Sequence, residues 1–358
     1  MSQVNYQLEI DHAEAQRQLG ICTSCRYCEG YCAAFKSVTR HRTFDVATVS
    51  QIANLCHNCR GCYYACQYTE PHEFGLNIPA LLANVRAQNW EEHIQPQLVT
   101  RQMQRHVWPY VLLIVLFVLL FSVAVGAPWV SAMPFYSLIS HNTMVLIFMP
   151  LFVLPVIALI FGLKRYWKSI GAEHLCFSDV RQAVASAVTM KQLDGGQGQG
   201  CNYESGERYT SARRWAHQAA MYGFLLCFLS TSVATIYHYL LSYPAPYPFF
   251  SLPKLFGVSG GVLLTAGCTV LIYLKRMADN QLGSQKRQLA EYTFTTLLLL
   301  VGLTGLLLYW CKGTAVAGGL LIVHLSVVAT FFIAIPYSKM SHGFFRLAAL
   351  CRESQLSG

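Results

Sequence analysis

The chain has 358 residues, of which 54% are hydrophobic and 12% charged, a balance that excludes an ordinary soluble protein and puts much of it against lipid. The formal charge of +9 does not argue for nucleic acid here, because membrane proteins collect Lys and Arg on cytoplasmic loops; no nucleic-acid partner is expected. The length suits two domains, a soluble one over residues 1–105 and an apolar one over 106–358.

The opening stretch, MSQVNYQLEIDHAEAQRQLG, carries no apolar run and no small-residue cleavage site, so no signal peptide is expected. The chain has fourteen cysteines, and the cysteine-rich domain is then expected in a reducing cytosol, where clustered cysteines hold metal more often than they form disulfides. Two runs stand out: Cys22, Cys25, Cys28 and Cys32 in CTSCRYCEGYC, and Cys56, Cys59, Cys62 and Cys66 in CHNCRGCYYAC. Both read C-x2-C-x2-C-x3-C, the spacing of bacterial two-cluster ferredoxins. Three thiolates so spaced wrap one face of a cubane, and the fourth cysteine reaches the other cluster. The expected [4Fe–4S] sets are Cys22, Cys25, Cys28 with Cys66, and Cys56, Cys59, Cys62 with Cys32. Ala33 and Gln67 replace the usual proline after the fourth cysteine. Zinc is the alternative, but its sites pair two C-x2-C knuckles instead of repeating three steps twice.

Residues 78–93, IPALLANVRAQNWEEH, have helical apolar spacing and are expected to pack on the cysteine domain or lie on the membrane surface. Six apolar runs follow, at about 108–126, 143–163, 216–241, 254–274, 292–311 and 316–336, each near the length of a spanning helix. Lys and Arg flank them on one side (Lys164, Arg165, Arg213, Arg214, Lys275, Arg276, Lys339, Arg346), and only Lys254 and Lys312 on the other. Both termini are therefore expected in the cytoplasm, with the chain crossing the bacterial inner membrane. The expected fold is mainly α: a helical two-cluster ferredoxin-like domain, then a six-helix transmembrane bundle. The inside loop 169–215, containing DGGQGQGCNYESGERY, lacks the strand–glycine–helix context of a phosphate loop and reads as a flexible linker. Cys176, Cys201, Cys227 and Cys268 read as small buried hydrophobes.

Histidines inside the apolar runs are functional candidates, because ionisable groups are costly in lipid. His217, His238, His324 and His342 are the candidates for axial ligation of one or two b-type haems. Antiparallel packing of the third and sixth runs predicts the pairs His238–His324 and His217–His342. His324 and His342 share a face, about five turns apart, if one helix runs through both. His106 and His141 read as interfacial.

The cysteine motifs together with EPHEFGLNIPALLANVR (Glu70–Arg86), GQGQGCNY and ARRWAHQAAMYGFLLCF (Ala212–Phe228) resemble the tricarballylate/citrate utilisation protein B family over nearly the whole chain. The resemblance implies an electron-transfer subunit. It would take electrons from a partner FAD-dependent tricarballylate dehydrogenase and pass them through two [4Fe–4S] clusters and haem to membrane quinone. The eight cysteines carry over directly. Where the family often has a second histidine after His217, this chain has Gln218. The alternatives are a respiratory subunit for another dehydrogenase or a heterodisulfide-type reaction, a redox-sensing six-helix transporter, and a membrane anchor without cofactor in its helices. A transporter is expected to show paired inverted repeats, and none is clear.

Overall fold

The computed structural model describes residues 2–30, 33–124, 126, 138–190, 193, 200–203 and 208–357. The soluble part is built from α1 (Ser2–Cys25), α2 (Ala33–Arg40), α3 (Val46–Leu55), α4 (Gly61–Tyr64) and α5 (Ile78–His93). Two of these helices start on side-chain caps. Asp45 accepts from the Thr48 N–H at 2.8 Å, and Asn77 accepts from the Ala80 N–H at 3.1 Å. Leu19, Phe35, Val38, Val49, Ile52, Leu82 and Val85 are buried together between α1, α2, α3 and α5. Buried polar side chains then fix α3 to α5: Ser50 donates to Asn89 at 3.2 Å, and the Trp90 indole donates to Asn54 at 3.2 Å. Residues 33–55, between the cysteine motifs, thus form two helices.

Helix α6 (Gln97–Arg105) is polar, and α7 (Trp108–Ala124) is apolar; the chain bends by 101° between them. On α7, Tyr110, Phe117 and Phe121 are buried while Leu112, Leu116 and Leu119 are exposed, so one face packs on protein and the rest suits lipid. Four further apolar helices follow: α8 (His141–Ser169), α10 (Ala212–Tyr239), α11 (Leu252–Met277) and α12 (Gln288–Trp310). The last, α13 (Ala317–Tyr337), is the most buried and packs on α7, α8 and α12. Among the described residues five segments are long and apolar enough to cross a membrane by themselves, and a sixth is counted if the bent α6–α7 pair is one span.

One expectation needs correction. The loop after α8 is more than a linker: it contains α9 (Phe177–Thr189) and a hairpin pairing Cys201 with Thr210 and Tyr203 with Arg208. The glycines at 195–199 lie outside the described residues. The condition set for His324 and His342 is not met, because no single helix joins them. Helix α13 stops at Tyr337, just past Pro336, and His342 begins a separate helix, α14 (Ser341–Ser357). That helix returns to the soluble domain, where Ala349, Leu350 and Cys351 enter its core beside α3.

The two halves meet over an aromatic layer. Trp90 of α5, Tyr166 of α8 and Phe345 of α14 are buried together, with the Tyr166 and Phe345 rings 4.8 Å apart. Helix α5 accordingly packs on the cysteine domain, the first of the two placements foreseen for it, and also meets residues of α8 and α14.

Candidate metal centres

Each cysteine motif makes the same turn. Cys22 and Cys25 end α1, and the next residue, Arg26, has φ +56° while its N–H donates back to the Cys22 carbonyl at 2.9 Å. In the second motif Arg60, directly after Cys59, has φ +69° and opens α4. Left-handed non-glycine residues are uncommon, so their recurrence at one place in both motifs marks a shared local geometry.

Cys22, Cys25, Cys28 and Cys66 line one cavity, together with Arg26, Tyr68 and Leu76. Cys56, Cys59 and Cys62 line a second, together with His57, Arg60 and Leu82. Phe35 of α2 lines both, and Cys28 Sγ lies 3.9 Å from the Cys62 carbonyl oxygen, so the two motifs adjoin. The cysteine from the second motif thus faces the first three, across 38 residues (66 − 28) of chain. Cys32, foreseen as the fourth member of the second set, lies outside the described residues.

The donor chemistry suits iron–sulfur groups. Burial, reinforced by Cys66 and its neighbours, pushes the Cys22 thiol up to about 12, and burial with Cys66 takes Cys28 to about 11. Burial and the adjacent Cys201 take Cys59 to about 11. Such thiols keep their protons at neutral pH until a cation replaces them. Amides are aimed at the sulfurs: Asn58 N–H donates to Cys56 Sγ and Tyr68 N–H to Cys66 Sγ, each at 3.3 Å. Among the described residues no three His, Cys, Asp or Glu donors converge as the ligands of a single ion do. The cysteines line the two cavities instead.

Three guanidinium groups hold the second motif from behind. Arg86 and Arg346 each donate to the Cys56 carbonyl at 2.6 Å, and Arg346 also reaches the Asn54 carbonyl at 3.2 Å. Arg213 donates to the Asn58 carbonyl at 2.6 Å and the His57 carbonyl at 3.1 Å, and lies 4.0 Å from Cys201 Sγ. These arginines come from α5, α10 and α14, and nothing local in the sequence separates Arg213 and Arg346 from topology-setting residues. Burial, and then the charges of Arg346 and Arg213, hold His57 well below the ordinary histidine range, so it is neutral here. Cys201, scattered in the sequence, is buried against Cys59 by the hairpin. Cys268 is buried and Cys227 half-buried, but Cys176 is exposed, contrary to its reading as a buried hydrophobe.

Beneath this loop, His217 of α10 and His342 of α14 meet edge to face, ring centroids 5.8 Å apart. His342 Nδ1 bonds to the Lys339 carbonyl, which leaves Nε2 as the free ring nitrogen. His217 Nδ1 is buried with no hydrogen-bond partner among the described residues. Gln218, the residue after His217, donates to the Thr189 carbonyl at 3.1 Å. The foreseen His238–His324 pairing is replaced by other contacts. His238 stacks on His141 at 3.8 Å, and His141 bonds to the Tyr239 hydroxyl at 3.0 Å. His324 Nδ1 sits 2.9 Å from the Thr304 hydroxyl on α12. The difference follows from helix order: α10 packs chiefly on α11, and α12 stands beside α13.

The family described as Citrate utilization protein B matches residues 106–357, and its Fer4-like domain matches residues 15–92. A relative from Escherichia coli, Citrate utilization protein B, is 38% identical over 346 residues, covering 95% of this chain and 91% of the relative. No solved structure matches.

Proposed function

The chain belongs to the Citrate utilization protein B family, and from that premise we propose that it carries electrons from the reduced FAD of a tricarballylate dehydrogenase to quinone in the bacterial inner membrane. The observation that carries the proposal is the cavity ringed by Cys22, Cys25, Cys28 and Cys66, with the Cys56, Cys59 and Cys62 cavity against it. Those residues, with Cys32 completing the second set, hold two [4Fe–4S] clusters, which when bound supply one-electron carriers between a two-electron donor and a two-electron acceptor. The relative's name, Citrate utilization protein B, supports a partner that acts on a tricarboxylate, the class that includes tricarballylate. Substrate selection then belongs to the dehydrogenase, and this chain supplies the route.

The chain's own residues shape that route. The amides of Asn58 and Tyr68 stabilise sulfur charge, while Arg86, Arg213 and Arg346 fix the second motif against the bundle. A b-type haem fits His217 and His342 better than His238 and His324. The former pair is adjacent, lies beneath the second motif, and includes one imidazole oriented by a backbone carbonyl. The Lys and Arg distribution puts the cysteine domain and α14 in the cytoplasm, where a soluble flavoprotein can dock.

Anaerobic purification followed by iron and sulfide analysis, low-temperature EPR and a reduced-minus-oxidised visible spectrum tests the proposal. The expected result is two cluster signals and a haem band, with quinone analogue reduced when reduced tricarballylate dehydrogenase is added. Zinc in place of iron would overturn the cluster assignment. Clusters that pass no electrons to quinone would overturn the route.

A further inference from the structure

The two cysteine cavities differ in the charge around them. Behind the second stand Arg86, Arg213 and Arg346, each bonded within the stretch 54–58 that contains Cys56. Arg86 is buried, and neither Arg86 nor Arg346 makes an ion pair among the described residues. Glu291, which acts on Arg86 through charge, is already held by Lys275 and Lys339 at 2.6 Å each. Arg86 and Arg346 thus bring two cations to one carbonyl, that of Cys56, with Arg213 two residues further along the same loop. A thiolate-ligated cluster carries net negative charge and is a counterion that suits Arg86 and Arg346.

The first cavity has a different setting. Its one lining cation, Arg26, is exposed and donates to the Thr23 carbonyl at 3.1 Å. Tyr27 beside it is 69% exposed, so water reaches this end.

We propose that Arg86, Arg213 and Arg346 hold the reduction potential of the group bound by Cys56, Cys59 and Cys62 above that of the group bound by Cys22, Cys25, Cys28 and Cys66. Electrons therefore enter at the first motif and leave at the second. The inference rests on the two clusters of the proposed function and adds a direction. Adding an electron adds negative charge, which nearby fixed cations favour. At each transfer one electron leaves the first-motif group, oxidising it, and reduces the second-motif group; the reduced flavin of the partner supplies the electron. The exit side is also the side facing the bundle, since Arg213 lies one turn of α10 from His217, and Arg346 one turn of α14 from His342. The arginines are positioning residues: they touch backbone carbonyls rather than sulfur ligands of either motif.

The test is an anaerobic redox titration of the full-length protein followed by EPR, with Cys25→Ser used to assign the first-motif signal. Unequal midpoints are expected, the second-motif signal being the higher. Arg346→Gln and Arg213→Gln are expected to lower that signal alone. The expected change is at least a tenfold fall in its reduced-to-oxidised ratio at fixed potential, about 59 mV for one electron. The Lys variants are expected to restore most of the shift. Equal midpoints in the unsubstituted protein, a higher first-motif midpoint, or equal shifts of both signals in the Gln variants would overturn the proposal. So would full-intensity signals that do not move. If a Gln variant loses its iron, the order of midpoints in the unsubstituted protein decides. Absence of any iron signal there is a failure of the proposed function instead.

Discussion

Cys66 stands four residues after Cys62 in the chain but faces the sulfurs of the other motif. That exchange is specific enough to test. Cys66→Ser is expected to abolish the cluster signal of the Cys22, Cys25 and Cys28 set and keep the other, halving cluster iron by analysis. If cysteines were shared only within a motif, the second signal would vanish instead. The histidines allow a similar test. His217→Ala or His342→Ala is expected to remove the reduced haem band, and His238→Ala to leave it in place, because His238 is occupied with His141 at the far end of α10. The cysteine candidates were legible because ligand spacing along a short run is a local property. The partner of His238 was not, since which helices adjoin is decided by packing over the whole bundle. Nor was Cys201 legible as a neighbour of Cys59, because a hairpin far along the chain brings it there.

At the scale of helices, α10 and α11 pack with their backbones close together, and small residues allow it. A Cβ on Gly260 would meet the Gly223 carbonyl oxygen and the Cys227 nitrogen at 2.8 Å, both of them backbone atoms that cannot yield. A Cβ on Gly267 would meet the Ala216 carbonyl oxygen at 2.7 Å. Gly260→Ala or Gly267→Ala is therefore expected to force the helices apart and cost about 1–3 kcal/mol, read as a lower unfolding midpoint in detergent. Gly267 packs opposite Ala216, next to His217, so its substitution is also expected to weaken the haem band, whereas that of Gly260 is not. The apolar runs fixed the helices to within a few residues. The hinge between α6 and α7 was not expected, and a change of polarity accompanies it: Arg101 and Arg105 of α6 pair with Glu91, while α7 is apolar.

Across the whole molecule, Glu91 ties the two halves together. It pairs with Arg287, just before α12, at 2.8 Å and with Arg105 of α6 at 3.1 Å, and its side chain is 10% exposed. Burial opposes its ionisation, but the two guanidinium groups outweigh burial and hold the carboxyl below its ordinary value of 4.5. A depressed folded-state value means the ionised pair stabilises the protein above the ordinary value and is lost as pH falls through the lower one. Unfolding midpoints measured against pH are thus expected to drop below pH 4.5, and to drop less steeply in Glu91→Gln. That variant, which leaves Arg287 buried, is expected to cost about 3–5 kcal/mol at neutral pH. Removing residues 341–357 is expected to be worse still, since α14 supplies both Arg346 and part of the cysteine-domain core; the readout is iron retained after purification.

The sequence alone determined the local features: two cysteine runs whose spacing suits iron–sulfur clusters, apolar stretches of membrane-spanning length, and a mainly helical chain. Each depends on residues within a turn or a helix of one another. The tertiary structure decided which residues from distant segments meet: Cys66 with the first motif, His217 with His342, and three arginines from three helices around Cys56. Those meetings depend on helix order and on the return of α14 to the soluble domain. Both are set by burial summed over the whole chain, which no single segment carries.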